Sequence, residues 1–183
     1  MAVCFYKDLV IETADSVYEP REDSFLIADN LNTKKGEKVL EIGTGSGILA
    51  ILAAKMGSRV TAVDINEDAI ECAAKNAEKN DVWGIKFLHG NLFEPVKGQK
   101  FDLIIFNPPY LPKEEQYTEK KIDLSYNSSE TLERFLKEYK KYLNKNGRAL
   151  IINSSISGVK VEGKVIAEKK LPFEKLEVIE LKI

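Results

Sequence analysis

The sequence predicts an α/β fold: a central, mostly parallel sheet of seven strands with helices on both faces and an antiparallel strand at the C-terminus. Three observations carry that reading. Short apolar runs at 38–42 and 60–63 flank a helical stretch at 48–56, which makes one nearly minimal β-α-β unit. Leu103, Ile104, Ile105 and Phe106 form a continuous apolar run, the pattern of a strand covered on both faces. The tail instead alternates charged with apolar residues over 164–169 and 176–181, as two antiparallel strands would.

Taken in order, residues 1–12 are mostly apolar and form an N-terminal strand or an arm laid over the core. A helix follows over 22–31, with Glu22 and Asp23 in its first turn, where negative charge suits the helix dipole. After the β-α-β unit, Gly57 stands just past the helix as a C-cap. Asn66 caps an amphipathic helix over 66–79 whose small alanine face can pack tightly on the sheet. The third strand is read at 83–88, with the loop His89-Gly90-Asn91-Leu92-Phe93 beyond it. A charged stretch without a period, 111–121, reads as a solvated loop. Ser128 or Ser129 caps a helix over 130–142, and Asn146-Gly147 turns the chain into a fifth strand at 148–152.

The 183 residues, 44% hydrophobic, suffice for one sizeable core, so a single domain over 1–183 is expected, with 1–32 as an N-terminal arm and helix and 33–183 as the core. A formal charge of −2, with 27 basic and 29 acidic residues intermingled, argues against a large electropositive surface for nucleic acid. Cys4 and Cys72 lack metal-ligand spacing and read as small buried residues; no metal is expected. With no signal pattern and no apolar run of membrane-span length, a cytoplasmic protein is expected.

The chemistry gathers at the strand ends. The turn after 38–42 reads LEIGTGSGILA, with Gly43, Gly45 and Gly47 at alternate positions, one residue tighter than the dinucleotide fingerprint. Such a turn lets a ligand approach the backbone, and Asp64 at the end of the next strand can accept two hydrogen bonds from a ribose diol. No basic residue lies between Glu41 and Lys55, so a nucleoside with a cationic tail suits the turn better than a pyrophosphate. Glu41 either favours that cation or is a strand-end acid held by turn N–H groups. Asn91 either pairs with a base edge or serves the turn, and Leu92 and Phe93 either face the base or plug the core. His89, with no acid or thiol near it in sequence, reads as a packing residue.

The stretch FDLIIFNPPY, 101–110, is the most informative. Pro108 and Pro109 offer no N–H to a ladder, so the strand ends there and leaves Asn107 and Tyr110 at its C-terminal edge, where open α/β sheets place ligands.

Together, LEIGTGSG, Asp64 and the NPPY of residues 107–110 resemble the class I, Rossmann-like S-adenosylmethionine-dependent methyltransferases that modify planar nitrogens. VYEPREDSFLIAD at 17–29 and the tail LPFEKLEVIELK are similar to the small archaeal and eukaryotic branch of the HemK-type protein-(glutamine-N5) methyltransferases, which acts on the Gly-Gly-Gln motif of the class 1 release factor. The resemblance implies S-adenosyl-L-methionine as cofactor, held by Tyr18, Pro20, Glu41, Gly43, Gly45, Gly47, Asp64, Ile65, Asn91, Leu92 and Asn107, with the arm over 1–32 covering it. It implies Asn107, Pro108 and Tyr110 as catalytic: the Asn107 side-chain carbonyl and the Pro108 backbone carbonyl accept the two amide N–H groups, and Tyr110 lies over the amide plane. It also implies a small zinc-binding activator subunit docked at the edge strand over 83–88, where Trp83, Ile85 and Phe87 alternate. Asn91 stands where relatives carry aspartate, DLSYNSSE replaces a glycine-containing segment, and a helix before Lys164 is largely missing. Two other readings stay open: a DNA or RNA amino-methyltransferase, because an exocyclic amino group is also planar, and a non-catalytic nucleoside-binding protein.

Overall fold

A computed structural model of the chain describes residues 1–109 and 128–183; Tyr110 and the loop expected over 111–121 lie outside the described residues. Strands β1 (Ala2–Tyr6) and β2 (Leu9–Thr13) precede α1 (Glu22–Asp29). Next come β3 (Lys38–Ile42), α2 (Ile48–Lys55), β4 (Arg59–Asp64), α3 (Glu67–Lys79), β5 (Lys86–His89) and β6 (Phe101–Phe106). The described chain ends with α4 (Ser128–Glu138), β7 (Leu143–Ser154), β8 (Lys164–Lys170) and β9 (Lys175–Lys182).

The main sheet has the expected seven strands, in the order β5-β4-β3-β6-β7-β9-β8. It is parallel from β5 to β7, and β9 runs antiparallel to both β7 and β8. The order reverses direction at β3, which lies between β4 and β6, so a crevice opens beyond the ends of these strands. Alternation along β3 and β6 assigns the two cores. Val39, Leu103 and Ile105 face a layer containing α1 and α2, whereas Leu40, Ile42, Ile104 and Phe106 face Leu132 and Phe135 of α4.

Several boundaries differ from expectation. The N-terminal segment is a hairpin separate from the main sheet, with β1 and β2 paired antiparallel. The third strand starts at Lys86, not at residue 83, because Asp81 and Gly84 have φ of 54° and 86° and turn the backbone before it can pair. Trp83 therefore precedes the strand and is 71% exposed, while Ile85 and Phe87 pack against the core. His89 is the last residue of β5 rather than a loop residue. Asn146-Gly147 does not begin a strand but bulges within β7: Leu143 faces Phe101 while Arg148 already faces Leu103. A Cβ on Gly147 would stand 3.0 Å from the Asn144 and Phe101 carbonyl oxygens, which selects glycine there. The expected helix over 130–142 ends at Glu138 and tightens into a 3₁₀ turn over Tyr139–Tyr142. Cys4 and Cys72 are free and only half-buried. Among the described residues no helix is long and apolar enough to cross a membrane.

The hairpin is held to α3 by two asparagines one helical turn apart. Asn76 Oδ1 accepts the Glu12 N–H at 2.9 Å, and its Nδ2 donates to the carbonyls of Glu12 (2.8 Å) and Ser46 (2.9 Å). Asn80 accepts the Val10 N–H at 2.9 Å and donates to the Val10 carbonyl at 2.8 Å. The two amides replace a neighbouring strand for β2, and Asn76 extends the tie to the glycine turn. Asn76→Ala, which strands the Glu12 N–H and the Ser46 carbonyl and leaves the Glu12 carbonyl only the Cys72 thiol, is expected to destabilise the protein by about 2–3 kcal/mol. An unshifted urea midpoint in that variant would contradict this role.

Candidate active site

The turn between β3 and α2 brings its glycines and Asp64 together. Gly43, Gly45 and Gly47 all have positive φ, at 65°, 51° and 83°. Their surroundings differ: a Cβ on Gly45 meets nothing within 4 Å, whereas one on Gly47 stands 2.8 Å from the Ala73 Cβ. Gly45 thus borders open space, and Gly47 permits α2 to start against α3. The Gly45 N–H donates to Asp64 Oδ2 at 2.8 Å, and the Asn66 N–H to Asp64 Oδ1 at 2.9 Å. Burial raises the Asp64 pKa, and the backbone N–H groups of Asn66, Gly45 and Ile65 work against that rise. Ile65 is 39% exposed beside it, and His89 Nε2 donates to the Ile65 carbonyl at 2.8 Å, so His89 ties β5 to the β4–α3 loop.

Glu41 is buried, accepting the Thr44 hydroxyl at 2.6 Å and the Ala50 N–H at 3.0 Å. That is the strand-end arrangement among the two readings left open. Burial pushes its carboxyl up to about 8, against the opposing pull of these two hydrogen bonds and with a further rise from Asp64. The folded chain therefore holds a proton that the unfolded chain releases near the ordinary value of 4.5. Stability is unaffected by this group below that value, falls as pH rises through the window up to about 8, and then levels off. Within the window the loss is about 1.4 kcal/mol per pH unit. Glu41→Gln should flatten that slope in urea titrations between pH 5 and about 8; an unchanged slope would assign it to other groups.

Beyond β5, Asn91 is half-buried and its backbone carbonyl accepts the Glu94 N–H at 3.0 Å. Leu92 has φ of 49° and a side chain packed in the core. Phe93 is also buried, stacked on Tyr142 at 4.3 Å and Phe135 at 5.5 Å between centroids. Both of these side chains are core plugs.

The second half of the site follows β6. Asn107 is half-buried, Pro108 is buried and Pro109 exposed. Asn107 Nδ2 donates to Asp23 Oδ2 at 3.0 Å and to Ser24 Oγ at 3.4 Å. Its Oδ1 is buried with no hydrogen-bond partner among the described residues. A Cβ on Gly43 would lie 4.0 Å from the Asn107 carbonyl oxygen, which places the glycine turn against the NPPY backbone.

Asp23, in the first turn of α1, is only 3% exposed. It accepts the Tyr18 hydroxyl at 3.2 and 3.1 Å to its two oxygens, and the Ser24 N–H at 2.7 Å. Burial and the Asp23 carboxylate push the Tyr18 phenol up. Pro20, buried, fixes the segment between these residues. Asp23 is the site residue that sequence reasoning missed: as a first-turn acid it looked like a dipole partner. The signal lay in VYEPREDSF itself, where Tyr18 and Asp23 stand together. Among the described residues no cluster of His, Cys, Asp or Glu could hold a metal ion.

The profile of the methyltransferase small domain matches residues 20–177. A relative from Methanocaldococcus jannaschii, provisionally named a protein N5-glutamine methyltransferase, is 42% identical over 179 residues, covering 89% of this chain and 90% of the relative. A release factor glutamine methyltransferase from Enterococcus faecalis is 36% identical over 135 residues, covering 71% of this chain and 45% of its own length. Among solved structures, a 16S rRNA methyltransferase of T. thermophilus in complex with S-adenosylmethionine and guanosine matches with a TM-score of 0.69 at 20% identity, over 95% of this chain and 47% of that one, a likeness of fold. A profile spanning most of the chain, and a relative this similar along nearly its whole length, are what homology to one enzyme group requires: the chain belongs to the S-adenosylmethionine-dependent small-domain methyltransferases, in the HemK-type group.

Proposed function

We propose that the protein transfers a methyl group to the side-chain amide nitrogen of the glutamine in the Gly-Gly-Gln motif of a class 1 peptide chain release factor. The observation that carries this reading is the Asn107 side chain, whose amino end is bound to Asp23 while its buried carbonyl has no partner among the described residues. A buried acceptor of this kind costs stability unless a ligand donates to it. The names of the relatives supply the substrate class.

The residues fit the cofactor. Space opens at Gly45, and Asp64 accepts N–H groups on both oxygens yet keeps lone pairs for a ribose diol. Gly43, Gly45 and Asp64 would hold it, with Tyr18, Pro20 and Ile65 at the margin and the 1–32 arm and helix alongside. When bound, S-adenosylmethionine supplies a sulfonium methyl group. An amide nitrogen is a poor nucleophile, so orientation counts for more than prior deprotonation. Asn107 Oδ1 accepts one substrate N–H and the Pro108 carbonyl accepts the other, and both oppose the positive charge that develops on nitrogen. The new nitrogen–carbon bond would replace the sulfur–methyl bond, whose electron pair stays on sulfur as a neutral thioether, and the surplus proton on nitrogen passes to water. Tyr110, outside the described residues, is assigned to cover the amide plane.

We also assign the exposed Trp83, just before edge strand β5, to the small zinc-binding activator subunit. With Ile85 and Phe87 turned to the core, that surface is narrower than a three-residue stripe. Sizing of the protein drawn from its own cells tests the subunit; a lone chain in every preparation removes it. For the reaction, labelled S-adenosylmethionine is supplied with cell lysate and the labelled residue is mapped by mass spectrometry. Label on a release-factor glutamine is the expected result, and label on nucleic acid would replace this reading with base amino-methylation.

A further inference from the structure

We propose that Asp23 makes this site selective for a neutral amide over a carboxylate, by fixing which end of the Asn107 side chain is offered to the substrate. This rests on the glutamine reading above and deepens it. An asparagine side chain has two ends of nearly equal shape, one donating and one accepting, and only its neighbours decide which faces where. At Asn107 the decision falls to Asp23, an acceptor-only carboxylate 3.0 Å from Nδ2. Asp23 is itself held by donors: the Tyr18 hydroxyl at 3.1 Å, the Ser24 N–H at 2.7 Å and the Ser24 hydroxyl at 3.3 Å. With that hydroxyl given to Asp23, Ser24 Oγ is left to accept from Asn107 Nδ2 at 3.4 Å, so both neighbours demand the same orientation. Turning the amide over would set oxygen against oxygen in a buried site.

The atom left over is Oδ1, buried and without a partner among the described residues. An acceptor in that position needs an N–H opposite it. A glutamine side chain provides one; a glutamate carboxylate brings only further acceptors and leaves two buried oxygens facing each other. Asp23 does not touch the substrate in this scheme. It is a positioning residue that acts through Asn107.

Three proteins decide the matter: wild type, Asp23→Asn, and the double exchange Asp23→Asn with Asn107→Asp. An amide at position 23 can donate as well as accept, so it no longer dictates the Asn107 orientation. In the double exchange, a carboxylate at position 107 has equivalent oxygens and offers an acceptor whichever way it turns. Each protein is assayed with the release factor carrying its Gly-Gly-Gln motif, and for binding of a release factor whose motif ends in glutamate. We expect Asp23→Asn to lower kcat and the glutamine-over-glutamate binding ratio by about tenfold each, with S-adenosylmethionine affinity unchanged. The double exchange is expected to recover most of the binding ratio. A folded Asp23→Asn protein that keeps the wild-type ratio, whatever its kcat, overturns the proposal; so does a folded double exchange that shows no preference. Should Asp23→Asn fail to fold, the double exchange decides by itself. A wild-type protein that prefers the amide in binding but never methylates it would overturn the substrate reading while leaving the role of Asp23 standing.

Discussion

Asn107→Ala is expected to lower kcat by about 10² to 10³ while S-adenosylmethionine affinity stays within a few-fold of wild type. The substitution removes the buried Oδ1, and with it one of the two acceptors that would align the amide nitrogen in the proposed reaction. It also releases Asp23, which retains the Tyr18 hydroxyl and the Ser24 N–H as donors and so stays satisfied. The loss should therefore fall on turnover rather than on folding. Steady-state kinetics together with a calorimetric cofactor titration separate the two, and undiminished turnover would remove Asn107 from the reaction.

Gly47→Ala should produce the largest loss of stability among single methyl additions in the glycine turn, about 2–5 kcal/mol. Two costs combine. At φ of 83° the residue is in the left-handed region, which costs about 1–2 kcal/mol for a residue with a Cβ. The new methyl would also stand 2.8 Å from the Ala73 Cβ and 3.0 Å from its Cα, and overpacking of this kind costs about 1–3 kcal/mol. Relief requires α3 to move away from α2, which strains the Asn76 bond to the Ser46 carbonyl. Gly45→Ala provides the contrast: φ is 51°, but no atom lies within 4 Å of its Cβ. It should destabilise by only the conformational share and weaken S-adenosylmethionine binding instead. Urea unfolding and cofactor affinity measured on both variants test the division; equal loss of stability in the two would show that backbone conformation alone governs the turn.

Much of the site was legible before any coordinates. Asp64 stands at the end of β4 with the glycine turn on its carboxylate, as its place after an apolar run foretold. Asn107 follows β6 where the prolines stop the ladder. The Asn66 cap was equally readable, because its side chain answers a need of its own helix, accepting the Asp68 N–H at 3.0 Å. Each of these is a local signal. Where the reading left a choice open or misplaced a boundary, the deciding partner was distant. Leu92 and Phe93 follow a turn just as base-facing residues would, and only the arrival of α4 and the following 3₁₀ turn shows that they fill the core. Trp83 and Ile85 alternate like strand residues, yet two positive φ angles delay the strand past them.

By itself, then, the sequence determined most of the strands along the chain, the glycine turn after β3 and the asparagine that follows β6, since periodicity, proline chemistry and glycine spacing act within a few residues. Only the tertiary structure decided that Asp23, 84 positions from Asn107, sets the direction of its amide. It also decided that Gly47 answers to Ala73 while Gly45 answers to open space. A first-turn carboxylate satisfies the helix dipole equally well in water or against a neighbouring strand, so local chemistry carries no record of which it will meet. The tertiary packing, which lays β6 beside β3 and brings the first turn of α1 to the residue after β6, supplies that record.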